Sequence, residues 1–86
     1  MNSQSVRSLS EIGREIQQDC AGKKFYVYAQ PYVEPMLSLN SIHDNYYADS
    51  AASVVRYALC NLTGWKGEKA RAIKAELNSI LKNAGL

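Results

Sequence analysis

His43 and Asp44 are the one neighbouring histidine–carboxylate pair in the chain. A histidine serves as general base when a nucleophile lies within hydrogen-bond reach and a carboxylate orients the ring. Adjacency in sequence does not supply that geometry. The candidate thiols, Cys20 and Cys60, fall on predicted helices among apolar residues, where cysteine behaves as a small hydrophobe. His43 therefore reads as a solvated loop residue. One histidine and two distant cysteines match no zinc spacing, and no carboxylate run resembles a calcium loop. Gly64-Trp65-Lys66-Gly67 places backbone N–H groups at the start of a predicted helix, with Lys66 and Lys69 nearby, an arrangement that can hold an anion. Glycine in so short a connection also has a purely geometric explanation. The expectation is a protein that is not an enzyme and uses no cofactor and no metal.

Two other patterns suit binding. At about 100° per residue, Arg71, Lys74, Asn78 and Lys82 share a narrow stripe that flanks the apolar face of the last helix. Such a stripe can track a phosphate backbone, meet an acidic protein surface, or simply be solvated. The outward positions Glu68, Ala72, Ala75 and Ser79 are short or acidic, unlike the base-reading helix of a helix-turn-helix. Tyrosine is the second pattern, with 6 in the chain. Tyr32 and Tyr57 are expected in or near the core. Tyr46 and Tyr47, in a polar loop beside Asp44, are expected as exposed contacts, because tyrosine is enriched at interfaces.

Length and composition bound what these residues can belong to. A chain of 86 residues is one domain with a small core. Its apolar share of 47% is too high for disorder. No apolar run approaches the roughly 20 residues of a membrane span. Residues 1–7 are polar, lack a signal-peptide core and read as a frayed start, which suggests a cytoplasmic protein with free thiols. The net charge of +2 is too small to signal nucleic acid. Its distribution is uneven: residues 1–50 carry four basic and six acidic side chains, and residues 51–86 carry six basic and two acidic ones. The halves can attract one another or present surfaces of opposite sign.

The elements follow from spacing. Ser8 with Glu11 forms a capping box, and Leu9, Ile12, Ile16 and Cys20 recur at helical intervals, giving a first helix from Leu9 to Cys20 that stops near Gly22. Gly13 inside it costs about 1 kcal/mol relative to alanine and allows close approach of another helix. Phe25-Tyr26-Val27-Tyr28 has strand propensity but no partner strand and no hairpin signal, so an extended connector is expected. Tyr32, Val33, Met36 and Leu37 indicate a short second helix from Tyr32 to Leu39, with Pro35 awkward inside it. Residues 40–47 read as a polar loop. Asp49 or Ser50 caps a third helix with Ala51, Val55, Ala58, Leu59 and Leu62 on its apolar stripe, ended by Gly64 as a left-handed cap. Trp65 is placed to fold back onto the core. A fourth helix runs from Gly67 to Lys82, with Ala70, Ile73, Leu77, Ile80 and Leu81 on one face. The fold class is all-α: a small bundle of three to four helices with a C-terminal helical hairpin and an extended Tyr-rich connector.

The pattern Tyr46-Tyr47-x-Asp49-Ser50, Ser53-Val54-Val55-x-Tyr57, Asn61, Trp65-x-Gly67, Ala70-Arg71-x-Ile73-Lys74-Ala75-Glu76-Leu77 resembles a group of small hypothetical proteins from phages and prophages. Glu11-Ile12-x-Arg14-Glu15-Ile16 and Pro31-Tyr32-Val33 are similar to its N-terminal part. The chain departs from the pattern at Pro35, which leaves the start of the second helix open. The resemblance implies a small accessory protein of a mobile element. Such proteins commonly bind and redirect host machinery, including restriction and CRISPR defence. The expected function is therefore binding and blocking of a host protein or complex in the host cytoplasm, through Tyr46, Tyr47, Trp65, Lys66, Arg71 and Lys74. Two alternatives stay open: a nucleic-acid module using Lys66, Lys69, Arg71, Lys74 and Lys82, and a structural homodimer. No membrane is expected as a partner.

Overall fold

The computed structural model describes residues 7–85. Four helices and one minimal hairpin follow in the order α1 (Leu9–Cys20), α2 (Tyr26–Met36), β1 (Asn45–Tyr46), β2 (Asp49–Ser50), α3 (Ala51–Cys60) and α4 (Glu68–Asn83). The architecture is all-α, as the spacing predicts. Residues 1–6 of the expected frayed start lie outside the described residues. Arg7, assigned to that start, is tied by its guanidinium to Glu15 and Glu76.

α1 begins at the expected capping box: Ser8 Oγ accepts from the Glu11 amide at 3.2 Å, and the Ser8 amide donates to Glu11 Oε1 at 3.1 Å. These bonds satisfy N–H groups that a helix start leaves without partners. Leu9, Ile12, Ile16 and Cys20 are all buried. Gly13 is buried against α2, where an added Cβ would lie 3.1 Å from Met36 Cβ. That contact explains a glycine in mid-helix.

α2 corrects the expectation of an extended Tyr-rich connector and of a helix from Tyr32 to Leu39. Helical structure starts at Tyr26 and ends at Met36. Tyr26, Ala29, Val33 and Met36 are buried at 3- and 4-residue intervals. Burial of this face outweighs the strand propensity of Phe25–Tyr28. Both Pro31 and Pro35 lie inside the helix. Each lacks an N–H, so the carbonyls of Val27 and Pro31 lose their intrahelical donors. Those two residues are exposed, and water can serve the carbonyls.

The segment expected as a loop contains a two-residue antiparallel pairing, Asn45 with Ser50 and Tyr46 with Asp49. Tyr47 and Ala48 form its turn, and Tyr47 has a φ of 55°. Ser50 caps α3 by accepting from the Ser53 amide at 3.1 Å. Gly64 does not end α3, because its φ is not positive; Asn61 follows the last helical residue, and its side chain donates to the Tyr57 carbonyl at 2.8 Å. Gly64 instead gives room: a Cβ there would meet Phe25 Cβ at 3.1 Å. The proximity of Gly64 to Phe25, and of Tyr57 to Tyr32, makes α2 and α3 antiparallel neighbours.

One apolar core joins all four helices, with Trp65, Leu62, Val55, Ile73 and Leu77 among its members. α3 approaches α2 more extensively than it approaches α4, so the expected C-terminal hairpin is the looser pair. The small side chains Ala51, Ala52 and Ala58 on the buried face of α3 permit this close packing. Trp65 lies in the core at 2% exposure, and its indole N–H donates to Asp19 Oδ2 at 2.6 Å. That bond satisfies the donor which a buried tryptophan must place. Among the described residues no helix is long and apolar enough to cross a membrane.

Candidate functional site

α4 presents two flanks of different character. On the flank towards α1, charge is consumed within the molecule. Arg7 Nε donates to Glu76 Oε2 at 2.9 Å, Arg7 Nη2 lies 2.6 Å from Glu76 Oε1, and Arg7 Nη1 reaches Glu15. Lys69 Nζ stands 3.9 Å from the other oxygen of Glu15. The hydrogen bond from Arg7 holds the Glu15 carboxyl below its ordinary range, and the two carboxylates raise the guanidinium's own pKa. These ties join the N-terminal segment and α1 to α4, but only the Lys69–Glu15 approach follows the attraction expected between the acidic and basic halves, since Arg7–Glu76 pairs a cation of the first with a carboxylate of the second. Beside them lies a cleft of about 500 Å³, with Leu9, Ile42 and Ile80 on its walls and His43 at its edge.

His43 is exposed, and among the described residues its ring has no hydrogen-bonded nucleophile. Its neighbour Asp44 is turned onto the backbone: Oδ2 accepts from the amides of Asn40 and Ser41 at 3.0 and 3.1 Å. Those two bonds lower the Asp44 pKa. Asp44 therefore shapes the loop rather than orienting an imidazole. Cys20 is buried, and burial pushes its thiol up to about 11. Cys60, expected among apolar neighbours, is exposed instead. No group of three or more His, Cys, Asp or Glu side chains is placed to hold a metal ion among the described residues.

The flank of α4 towards α3 is open. Arg71 and Lys82 are exposed and form no ion pair among the described residues, and the same holds for Arg56 on α3. Lys66 is exposed in the α3–α4 connection. Lys74 departs from the expected free stripe: it is half-buried, and its ammonium donates to the Trp65 carbonyl at 2.7 Å. Burial first, and then the nearby Lys66, lower its pKa. Lys69 belongs to the opposite flank, so the five cations of the nucleic-acid alternative do not form one track. Between α3 and α4 runs a shallow groove of about 560 Å³ lined by Arg56, Leu59, Cys60, Asn78, Leu81 and Lys82. Arg56 goes unmarked in the sequence reading, and Cys60 enters it only as a small hydrophobe on a helix. Their signal was present, since both fall opposite the Ala51, Val55 and Ala58 face of α3 at a four-residue interval.

The aromatic residues divide more sharply than their composition suggests. Trp65 folds back onto the core as its position predicts, which withdraws it from the partner contacts also expected of it. Tyr46 is half-buried against the same core, and its ring meets Tyr47 edge-on at 4.7 Å. Tyr47 stands 90% exposed at the hairpin tip. Tyr57, expected in or near the core, is 56% exposed and stacks on half-buried Tyr32 at 5.4 Å. Val27 and Tyr28 at the start of α2 are 68% and 71% exposed. The connector expected over Phe25–Tyr28 has no outward face, so the sequence hides their place on a helix surface. At about 100° per residue, Val27, Tyr28, Pro31, Tyr32 and Pro35 occupy one continuous side of α2, ending beside Tyr57.

The chain matches no family model, no curated protein and no solved structure.

Proposed function

We propose that this is a non-enzymatic binding protein of a phage or mobile element, acting by occupying a surface on a host protein or complex in the host cytoplasm. A defence effector of the CRISPR or restriction type is the target class that the sequence resemblance suggests. The observation that carries the binding reading is the set of large apolar side chains left in water: Val27, Tyr28, Tyr47 and Tyr57 are each more than half exposed. Folding gains little from a side chain in that position, whereas association with a partner buries it. Tyrosine suits the role because it offers a large contact area while losing little side-chain entropy. Tyr47 supports the reading further. A non-glycine residue at positive φ is strained by about 1–2 kcal/mol, and an exposed ring at a hairpin tip recovers little of that by packing.

The contacts assigned to the partner are Tyr47, Tyr28 and Tyr57, joined by Arg71 and Lys66 from the first expectation. Tyr46, Trp65 and Lys74 serve the fold. The test is co-purification of the tagged protein from a bacterial host carrying active defence systems, with and without nuclease. A stoichiometric protein that survives nuclease, and is lost with the Tyr28→Ala/Tyr47→Ala/Tyr57→Ala variant, is the expected result. Recovery of nucleic acid alone, released by nuclease or salt, would replace this reading with the nucleic-acid module. A stable dimer with no other partner would replace it with the structural homodimer.

A further inference from the structure

We infer that the α3–α4 groove takes an acidic amphipathic segment of the partner protein, seating that segment's apolar side chains on Leu59 and Leu81 between the cations Arg56 and Lys82. The inference rests on the protein-binding reading and names the chemistry of what is bound.

Three observations carry it. The groove has an apolar floor: Leu81 is 7% exposed and Leu59 is partly buried against the core. Its lining contains two cations and no carboxylate. Neither cation forms an ion pair among the described residues, and Arg71 on the same flank of α4 does not either. The cleft on the other flank is the internal control. It is of similar size, but its arginine is already neutralised by Glu76 and Glu15. Charge complementarity thus selects one groove of the two and selects acid as the partner's sign.

The shape selects the occupant's form. The groove is open along its length, bounded by two helices, and an approaching helix or extended segment can lower one row of apolar side chains into it. A row of leucines flanked by Glu or Asp satisfies floor and rims together. A phosphate backbone satisfies only the rims and would leave Leu59 and Leu81 uncovered. The arginine contributes specificity, because its planar fork can engage a carboxylate through two parallel hydrogen bonds.

Cys60 provides the probe. It is exposed within the groove, whereas Cys20 is buried, so a neutral alkylating agent such as iodoacetamide reports on Cys60 in the folded protein. The ligand is a synthetic peptide of leucine and glutamate at amphipathic helical spacing. At a free concentration about ten times its Kd, occupancy should slow alkylation about tenfold. The Arg56→Glu/Lys82→Glu variant should remove that protection while its melting temperature stays unchanged. Three controls complete the test: the same peptide with lysine for glutamate, the same peptide with serine for leucine, and a single-stranded oligonucleotide. None should protect. Protection by the serine peptide or the oligonucleotide would show charge alone at work and overturn the inference, as would no protection by any ligand. Co-purification separates this failure from failure of the functional reading. A partner lost with the tyrosine variant but kept by Arg56→Glu/Lys82→Glu refutes the groove and leaves the binding protein standing. Peptide protection with no host protein recovered does the reverse.

Discussion

The two flanks of α4 carry similar residue types to opposite ends. Towards α1, Lys69 and Glu76 meet Arg7 and Glu15, so charge is spent on joining the two halves of the chain. Towards α3, Arg71, Lys82 and the facing Arg56 meet no carboxylate among the described residues. Lys74 sits at the boundary, half-buried and hydrogen-bonded to the Trp65 carbonyl. A helix viewed alone shows a basic stripe. In its setting, only the residues that the fold leaves without partners remain available to a second molecule.

That contrast can be broken in order of decreasing effect on stability. Trp65→Ala removes the largest side chain of the shared core and leaves Asp19 without its indole donor, at a cost of about 3–5 kcal/mol. In a domain of this size the melting temperature should fall by more than about 15 °C by circular dichroism, whatever happens on either flank. A loss of only a few degrees would show that Trp65 is not the hub of the core.

Arg7→Ala opens the closed flank. Its pairs are about one-third exposed, so the expected loss is roughly 1 kcal/mol in urea titration at pH 7 and smaller at high salt. The sign of the pH dependence follows from Glu15. Its folded pKa is depressed, so its contribution is complete above the ordinary glutamate range and is lost as pH falls through and below it. Wild-type stability should therefore drop more steeply on acidification than that of Arg7→Ala. Parallel pH profiles would contradict the tie.

Tyr47→Asn keeps a residue that tolerates positive φ. Relief of strain offsets the lost edge contact with Tyr46, and stability should change by less than about 1 kcal/mol. Partner binding should weaken by about tenfold or more, the penalty for removing an interfacial aromatic anchor. Unchanged binding would return Tyr47 to the status of an ordinary turn residue.

The helices with regular apolar spacing and polar starts were legible in the sequence. Ser8 with Glu11 marks a helix start that the structure reproduces, the choice of Asp49 or Ser50 as the cap of α3 resolves to Ser50, and Leu9–Ile12–Ile16–Cys20 marks the buried face of α1. α2 was obscured because Tyr26, Val27 and Tyr28 favour strands and Pro31 and Pro35 oppose helices. Only the tertiary burial of Tyr26 and Ala29 decides that contest. The hairpin was obscured because its turn, Tyr47-Ala48, contains neither glycine nor asparagine. The candidate site was half legible. Arg71, Lys82 and Tyr47 were visible as types and positions, but which cations are neutralised depends on pairs as distant as Arg7 and Glu76. No local pattern in the sequence encodes that pairing; the position of Trp65 just after α3 did mark it as folding back onto the core, and that burial removes it from the contacts.

The most direct test of the central claim compares charge reversal on the two flanks in one co-purification experiment. Arg56→Glu/Lys82→Glu alters the open groove. Arg14→Glu/Lys69→Glu changes net charge by the same amount on the α1 side. The first pair should leave the fold within about 0.5 kcal/mol of wild type, and the second, which also breaks the exposed Lys69–Glu15 pair, within about 1 kcal/mol. The account predicts that a nuclease-resistant host protein is lost with the first pair and retained with the second. Equal loss with both pairs would mean that overall charge, not the open flank, governs binding, and would contradict the account.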